Sequence, residues 1–271
     1  MKIGVIPDCF RLPIKEGIRK AAELKMDGIQ PYATRGELDP KNLTQTGRQD
    51  LRHFVEGLGL KFSALVGDFG HGFTDPARID YLVSRTKEVV DLAVELGTNV
   101  VTTHIGVVPD DVNAPAWKTM CQALPEIGNY AANKGIYLAT ETGPEPAALL
   151  KKLLDYLNNP GLRVNFDPAN LVMVSDDPAA QAARTLAKYI VHTHAKDGRM
   201  LREKYAKRES PWWQELPLGE GDVNFPEYLR VMKEIGYTGF FTIEREVGEN
   251  PAADIIKARD YLRKLEKEIG I

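Results

Sequence analysis

Two glutamates, an aspartate and a histidine, Glu141, Asp167, His194 and Glu244, each close a short apolar run in the second half of this 271-residue chain. Three carboxylates and an imidazole form a donor set for a hard or borderline divalent cation such as Mn2+, Mg2+ or Co2+, in preference to a thiolate-seeking one. Brought together without a cation, three carboxylates repel. Taken singly, each serves equally well as a surface ion-pair partner or a helix cap. The argument for chemistry is therefore one of position, and position depends on the elements that carry these side chains.

Short β-rich runs alternate with amphipathic runs of helical period along the whole sequence, the pattern of a parallel sheet with crossover helices. Eight strands are expected, at residues 2–7, 28–32, 61–66, 99–104, 136–141, 162–167, 189–194 and 239–244. All are short and mostly apolar on both faces, as buried parallel strands are. The clearest helix carries Ile79, Leu82, Val83, Val89, Val90, Ala93 and Val94 at i, i+3, i+4 spacing and stops at Gly97. Asn224 and Glu227 form a capping box around Pro226, and a last helix follows Pro251. Eight such units over this length match a closed (β/α)8 TIM barrel of α/β class, one domain over residues 1–271. An open doubly wound sheet usually brings a Gly-rich turn after its first strand, where this chain reads Pro7-Asp8-Cys9-Phe10-Arg11.

In such a barrel the C-terminal strand ends converge on one face, so Glu141, Asp167, His194 and Glu244 would meet around one ion. The longest stretch without clear periodicity, residues 198–222, follows the seventh strand and is expected to cover or bind a ligand. It carries Arg199, Arg202, Trp212 and Trp213.

Composition narrows the partners. A net charge of −3 and a pI near 6.0 supply no basic field for a phosphate backbone, which argues against nucleic acid. No run approaches the roughly 20 apolar residues of a membrane span. With two cysteines, Cys9 and Cys121, and no apolar signal segment after Met1, the expected compartment is the cytoplasm.

The strings Leu138-Ala139-Thr140-Glu141-Thr142, Asn165-Phe166-Asp167-Pro168-Ala169-Asn170, His192-Thr193-His194-Ala195-Lys196-Asp197 and Thr242-Ile243-Glu244-Arg245-Glu246 resemble the xylose isomerase-like superfamily of sugar-phosphate isomerases and epimerases. Residues 217–225 and 235–239 add to the likeness, which spans the chain and is strongest after residue 135. The resemblance implies that Glu141, Asp167, His194 and Glu244 bind one divalent metal, usually Mn2+, with Mg2+, Co2+ or Zn2+ in relatives. It also implies that Glu141 and Glu244 act as the acid/base pair of an isomerase or epimerase working on a sugar or sugar phosphate through an enediolate. A metal held through one carboxylate oxygen leaves the other free to take a proton. The same site would serve a lyase that dehydrates a polyol or keto-acid. A barrel that binds a sugar without turnover is a further reading. Relatives often form homo-oligomers, although no apolar stripe in this sequence marks an interface.

Departures from the family pattern sharpen these expectations. Ketose 3-epimerases usually carry histidine three residues after the metal-binding aspartate, and this chain has Asn170, which hydrogen-bonds but does not titrate. Abasic-site endonucleases share the barrel but gather three zinc ions with many more histidines than the five present here, and the acidic balance removes the DNA-binding field. Around the metal set, His104, Asn170, Lys196, Arg199, Trp212 and Glu246 are expected to meet the substrate. Gln30, Tyr32, Asp68 and His71 are further candidates for the pocket wall. His192 is expected inside the barrel in support of His194, Glu246 to orient a ligand or pair with Lys196, and Arg245 to face away.

Overall fold

A computed structural model describes residues 1–271. Eight parallel strands run Lys2–Val5, Gly28–Ile29, Lys61–Phe62 continued by Leu65–Val66, Val100–Thr103, Tyr137–Glu141, Leu162–Phe166, Ile190–Ala195 and Phe240–Ile243. They pair in chain order, and the first also pairs with the eighth, Val5 opposite Ile243. The third strand is broken at Ser63 and Ala64. Its first half pairs with Ile29 and its second with Thr102, and a bridge from Val66 to Tyr32 closes the barrel. The sequence reading treats this strand as continuous; the Ser63 hydroxyl, bonded to the Ile29 carbonyl at 3.0 Å, marks where it bends.

Eight crossover helices surround the barrel, from Ile14–Glu23 to Pro251–Ile269. The helix Ile79–Leu96 ends at Gly97, whose φ of 80° lies in the left-handed region that glycine enters without steric penalty. Half of the capping box forms: Asn224 Oδ1 accepts from the Glu227 N–H, while Glu227 Oε2 accepts from the Asn224 side-chain amide in place of its backbone N–H. Residues 198–222 are more ordered than the sequence suggests. Asp197–Met200 and Trp213–Leu216 make an antiparallel hairpin, with the short helix Arg202–Lys207 at its tip.

Period-two alternation positions the site. In the seventh strand Thr193 turns outward, its hydroxyl 2.6 Å from that of Tyr228, while His192 and His194 turn inward. Inside, side chains bridge strands that are not neighbours, and Gln30 of the second strand reaches both Thr102 of the fourth and His194 of the seventh.

Close packing outside the barrel gives the first testable consequence. A Cβ on Gly161 would fall on the carbonyl oxygen of Gly128, a backbone atom that cannot rotate away. Gly161→Ala is expected to lower stability by roughly 2–3 kcal/mol. Urea unfolding measures it, and an unchanged midpoint would show that the helix and strand separate freely there.

Candidate metal centre

Glu141 ends the fifth strand, Asp167 and Glu244 stand one residue past the sixth and eighth, and His194 lies one residue before the end of the seventh. One ligand atom from each lies within 4.8 Å of all the others, and all four residues are buried, none more than 7% exposed. His194 Nδ1 faces Glu244 Oε2 at 2.9 Å, Asp167 Oδ2 at 3.4 Å and Glu141 Oε1 at 3.5 Å. Nevertheless Nδ1 and Asp167 Oδ2 have no hydrogen-bond partner although both are buried, and Glu244 Oε2 has no well-aligned one, its Lys196 contact at 3.2 Å being an ion pair. Buried polar atoms without partners cost on the order of 1–3 kcal/mol each, more when charged. A divalent cation satisfies all of them, because oxygen ligands at about 2.0–2.6 Å from one ion lie about 3–5 Å from one another. The donor set therefore fits a metal ion.

Surrounding groups fix each ligand. Gln30 Nε2 donates to Thr102 Oγ1 at 2.9 Å, which turns Gln30 Oε1 toward His194 Nε2 at 3.2 Å. Asn165 Nδ2 lies at the same 3.2 Å from Nε2, so that nitrogen is engaged from both sides while Nδ1 faces the carboxylates. Asn165 Nδ2 donates to Glu141 Oε2 at 3.1 Å, and Asn165 Oδ1 accepts from His192 Nδ1 at 2.8 Å. His192 Nε2 then accepts from the Thr242 hydroxyl at 3.0 Å. Burial holds the His192 pKa well below its ordinary value, and the positive field of His194 adds to it, so His192 stays neutral in that relay. Asp167 Oδ1 accepts from the Ala169 and Asn170 N–H groups, which aims Oδ2 at the centre.

Electrostatics point the same way. Burial opposes a charge on Glu244, but Lys196 and His194 outweigh it and hold its pKa well below the carboxylate range. Burial likewise opposes a charge on Glu141, and His104 and His194 outweigh it. Both glutamates are therefore ionised. On His194 burial disfavours a second proton, yet Glu244 and Glu141 raise its pKa well above normal. The centre demands positive charge, as a proton or as a metal ion.

A pocket of about 330 Å3 opens above the centre, and Tyr32, Asp68, His104, Asn170, Lys196 and Glu246 are among its lining residues. Asn170 Nδ2 donates to Glu141 Oε1 at 3.0 Å and to the Thr142 carbonyl at 3.2 Å, so its amide holds the glutamate. His104 Nδ1 meets Asp68 Oδ2 at 2.8 Å and its Nε2 lies 3.6 Å from Glu141 Oε1. Lys196 Nζ meets Glu246 Oε2 at 2.8 Å and Glu244 Oε2 at 3.2 Å. Arg245 turns away, to Glu215 and Asp254. Cys9 is buried, which pushes its thiol up to about 12.

Four expected contacts lie elsewhere, Gln30 among them, fully buried against His194 and off the pocket wall. Exposed Arg199 donates to the Glu220 carbonyl at 2.6 Å, because its hairpin position points out of the pocket. Trp212 packs edge-on against Tyr205, and its neighbour Trp213 lines the pocket instead, as alternation along the hairpin strand requires. His71 is exposed and bonded to Arg78. Sequence reasoning missed Glu215 in the pocket wall and Asn165 beneath the ligands. The signal for Asn165 was present, two residues before Asp167 on one strand. Glu215 required seeing the hairpin.

With this geometry in view, a family model described as the xylose isomerase-like TIM barrel matches residues 18–265. The chain belongs to the xylose isomerase-like TIM barrel family. A solved structure of a xylose isomerase domain protein from Planctomyces limnophilus superposes on this family member with a TM-score of 0.86 at 28% identity, covering 100% of this chain and 97% of that one. Among curated proteins, an inosose dehydratase of Clostridium perfringens is 26% identical over 168 residues, 56% of each chain. An L-ribulose-5-phosphate 3-epimerase of Escherichia coli is 31% identical over 118 residues, 43% of this chain and 38% of that one. The chain thus spans about half or less of the length of these two curated relatives. No helix is long and apolar enough to cross a membrane.

The His104 environment is directly measurable. The charge of Glu141 is the main cause that raises its pKa, against burial and with help from Asp68, to about 9 from 6.5. In the metal-free protein the stabilisation this gives is complete below pH 6.5 and is lost as the pH rises through about 9. A cation that neutralises Glu141 removes that cause, so saturating Mg2+ is expected to move the NMR titration midpoint of His104 down. A midpoint insensitive to Mg2+ would separate His104 from the centre.

Proposed function

We propose that this protein is a divalent-metal-dependent isomerase or epimerase that moves a proton on a carbon beside the carbonyl of a sugar-type substrate. Glu141, Asp167, His194 and Glu244 hold the metal, with Mn2+ the first candidate and Mg2+, Co2+ or Zn2+ the others. The observation that carries the reading is the convergence of two ionised glutamates with Asp167 and His194 inside 4.8 Å, beneath a pocket of ligand size. When bound, a divalent cation polarises the substrate's carbonyl and hydroxyl oxygens and stabilises the charge that enolisation develops on them.

The remaining work falls to side chains of this chain. Glu244, held ionised beside Lys196, takes the proton from carbon. Glu141, ionised at rest and three strands away around the barrel, relays a proton to the opposite face of that carbon, and Glu244 sheds the one it took to solvent as the product leaves. The Asp68–His104 pair at the mouth, with His104 Nε2 3.6 Å from Glu141 Oε1, supplies the relayed proton from its imidazolium and takes another from solvent between turnovers. Trp213 and Tyr32 offer aromatic walls to the substrate's carbon face. The compartment proposed is the cytoplasm, where free Cys9 and Cys121 stay reduced.

A dehydration reading begins with the same proton removal and is supported by the match to inosose dehydratase. Loss of one water in the product mass distinguishes it. For either reaction, Glu141→Gln and Glu244→Gln are each expected to slow carbon-bound proton exchange in deuterated water by at least on the order of 10²-fold. Full exchange in both variants would refute the assigned roles.

A further inference from the structure

We infer that this pocket takes a neutral, unphosphorylated polyhydroxy carbonyl compound and discriminates against its phosphate esters. The inference rests on the reading of a metal-dependent sugar site given above, and the charge inventory of the pocket carries it.

Asp68, Glu141, Glu215, Glu244 and Glu246 line the pocket, and Asp167 lies beneath them. Against these six carboxylates the lining offers Lys196, His104 and His194, and with an ion on its Nδ1 the last is neutral, which leaves two cationic side chains. A divalent ion added to both leaves the pocket negative. Arg245, behind Glu215, does not change the balance, because Asp254 Oδ2 matches it at 2.9 Å.

Neither lining cation is available to a phosphate. Lys196 is 6% exposed, with Glu246, Glu244 and Glu215 oxygens 2.8, 3.2 and 3.9 Å from its Nζ. His104 directs Nδ1 at Asp68 and Nε2 at Glu141. Of the guanidinium groups beyond the lining, those of Arg11, Arg199 and Arg202 are engaged too. Arg11 donates to the carbonyls of Gly248 and Glu246, and Arg199 to that of Glu220. Arg202 grips Asp176 with both Nη atoms, and Arg35 lies over the Tyr32 ring 3.8 Å from Asp8. Forked guanidinium and free ammonium groups are the side-chain donors that grip phosphate, and of those near this pocket only Arg35, exposed over the Tyr32 ring, has no hydrogen-bonded acceptor.

The same inventory suits hydroxyl groups. Ionised carboxylates only accept hydrogen bonds, and sugar hydroxyls donate them. Glu246, half-exposed, and Asp68 on the opposite wall face the pocket as acceptors. Trp213, with Met173 and Val174, supplies an apolar face for the C–H side of the molecule. At about 330 Å3 the space is at the small end for a ligand pocket.

The test titrates the Mn2+-loaded protein by calorimetry with free ketoses, L-ribulose, D-fructose, D-tagatose and D-psicose, and with their terminal phosphate esters. Each is also followed for deuterium incorporation at carbon. At least one free ketose is expected to bind more tightly than its ester by about 30-fold or more, a ratio of dissociation constants well outside error. Glu246→Gln, which uncovers Lys196, is expected to narrow that gap by about threefold through the charge it removes. Esters that bind as well as or better than the free sugars overturn the inference. So does binding of neither set, or a gap unchanged in the variant. Binding of a free ketose without deuterium incorporation sinks the proton-transfer reading while leaving the discrimination against phosphate intact.

Discussion

Like charges buried together at the C-terminal end of the barrel constrain everything else in this protein. Desolvating a carboxylate costs several kcal/mol after relaxation, and Glu141, Asp167 and Glu244 are brought together with almost no access to water. A fold tolerates that only where compensating positive charge is available. Part of it is built in, as Lys196 against Glu244 and His104 against Glu141. The rest falls to a cation at the point where Asp167 Oδ2, Glu244 Oε2 and His194 Nδ1 converge without well-aligned hydrogen bonds.

Around that point the barrel interior carries a polar framework of neutral groups. Gln30, Thr102, Asn165, His192 and Thr242 tie the second, fourth, sixth, seventh and eighth strands together through side-chain hydrogen bonds. Each group fixes the orientation of the next, so the ring orientation of His194 and the rotamer of Glu141 are set before any ligand arrives. Preorganisation of this kind lets carboxylates serve as metal ligands and proton carriers without reorganising during the reaction. Because the framework is uncharged, it adds no further demand for counterions.

Much of this was legible in the sequence, for physical reasons. Buried parallel strands read as short apolar runs, and all eight fall where those runs lie, most with trimmed ends and the seventh shifted one residue on, to Ile190–Ala195. The broken third strand did not show, since Ser63 and Ala64 are compatible with an unbroken strand and the break is visible only in the pairing, residues 61–62 bonding to one neighbour and 65–66 to the other. Strand-end position singled out the four candidate ligands, because a barrel aligns its C-terminal ends whatever the loops do. The cover over the pocket was harder to read. Residues 198–222 hold a hairpin whose pairing is set by contacts within it, and only its register decides that Trp213 and Glu215 face the pocket while Trp212 and Arg199 do not. Long side chains such as Lys196 also leave their partners open in a sequence; three-dimensional packing against Glu215, Glu244 and Glu246 decides that its charge is taken up.

The central claim is that one divalent cation completes the Glu141, Asp167, His194 and Glu244 cluster. Anomalous diffraction at the manganese edge from a crystal soaked in Mn2+ tests it most directly. A single strong peak within about 2.0–2.6 Å of a carboxylate oxygen from each of the three acids and of His194 Nδ1 is the expected result. No peak among those four side chains, or a peak held by other residues, would contradict the account.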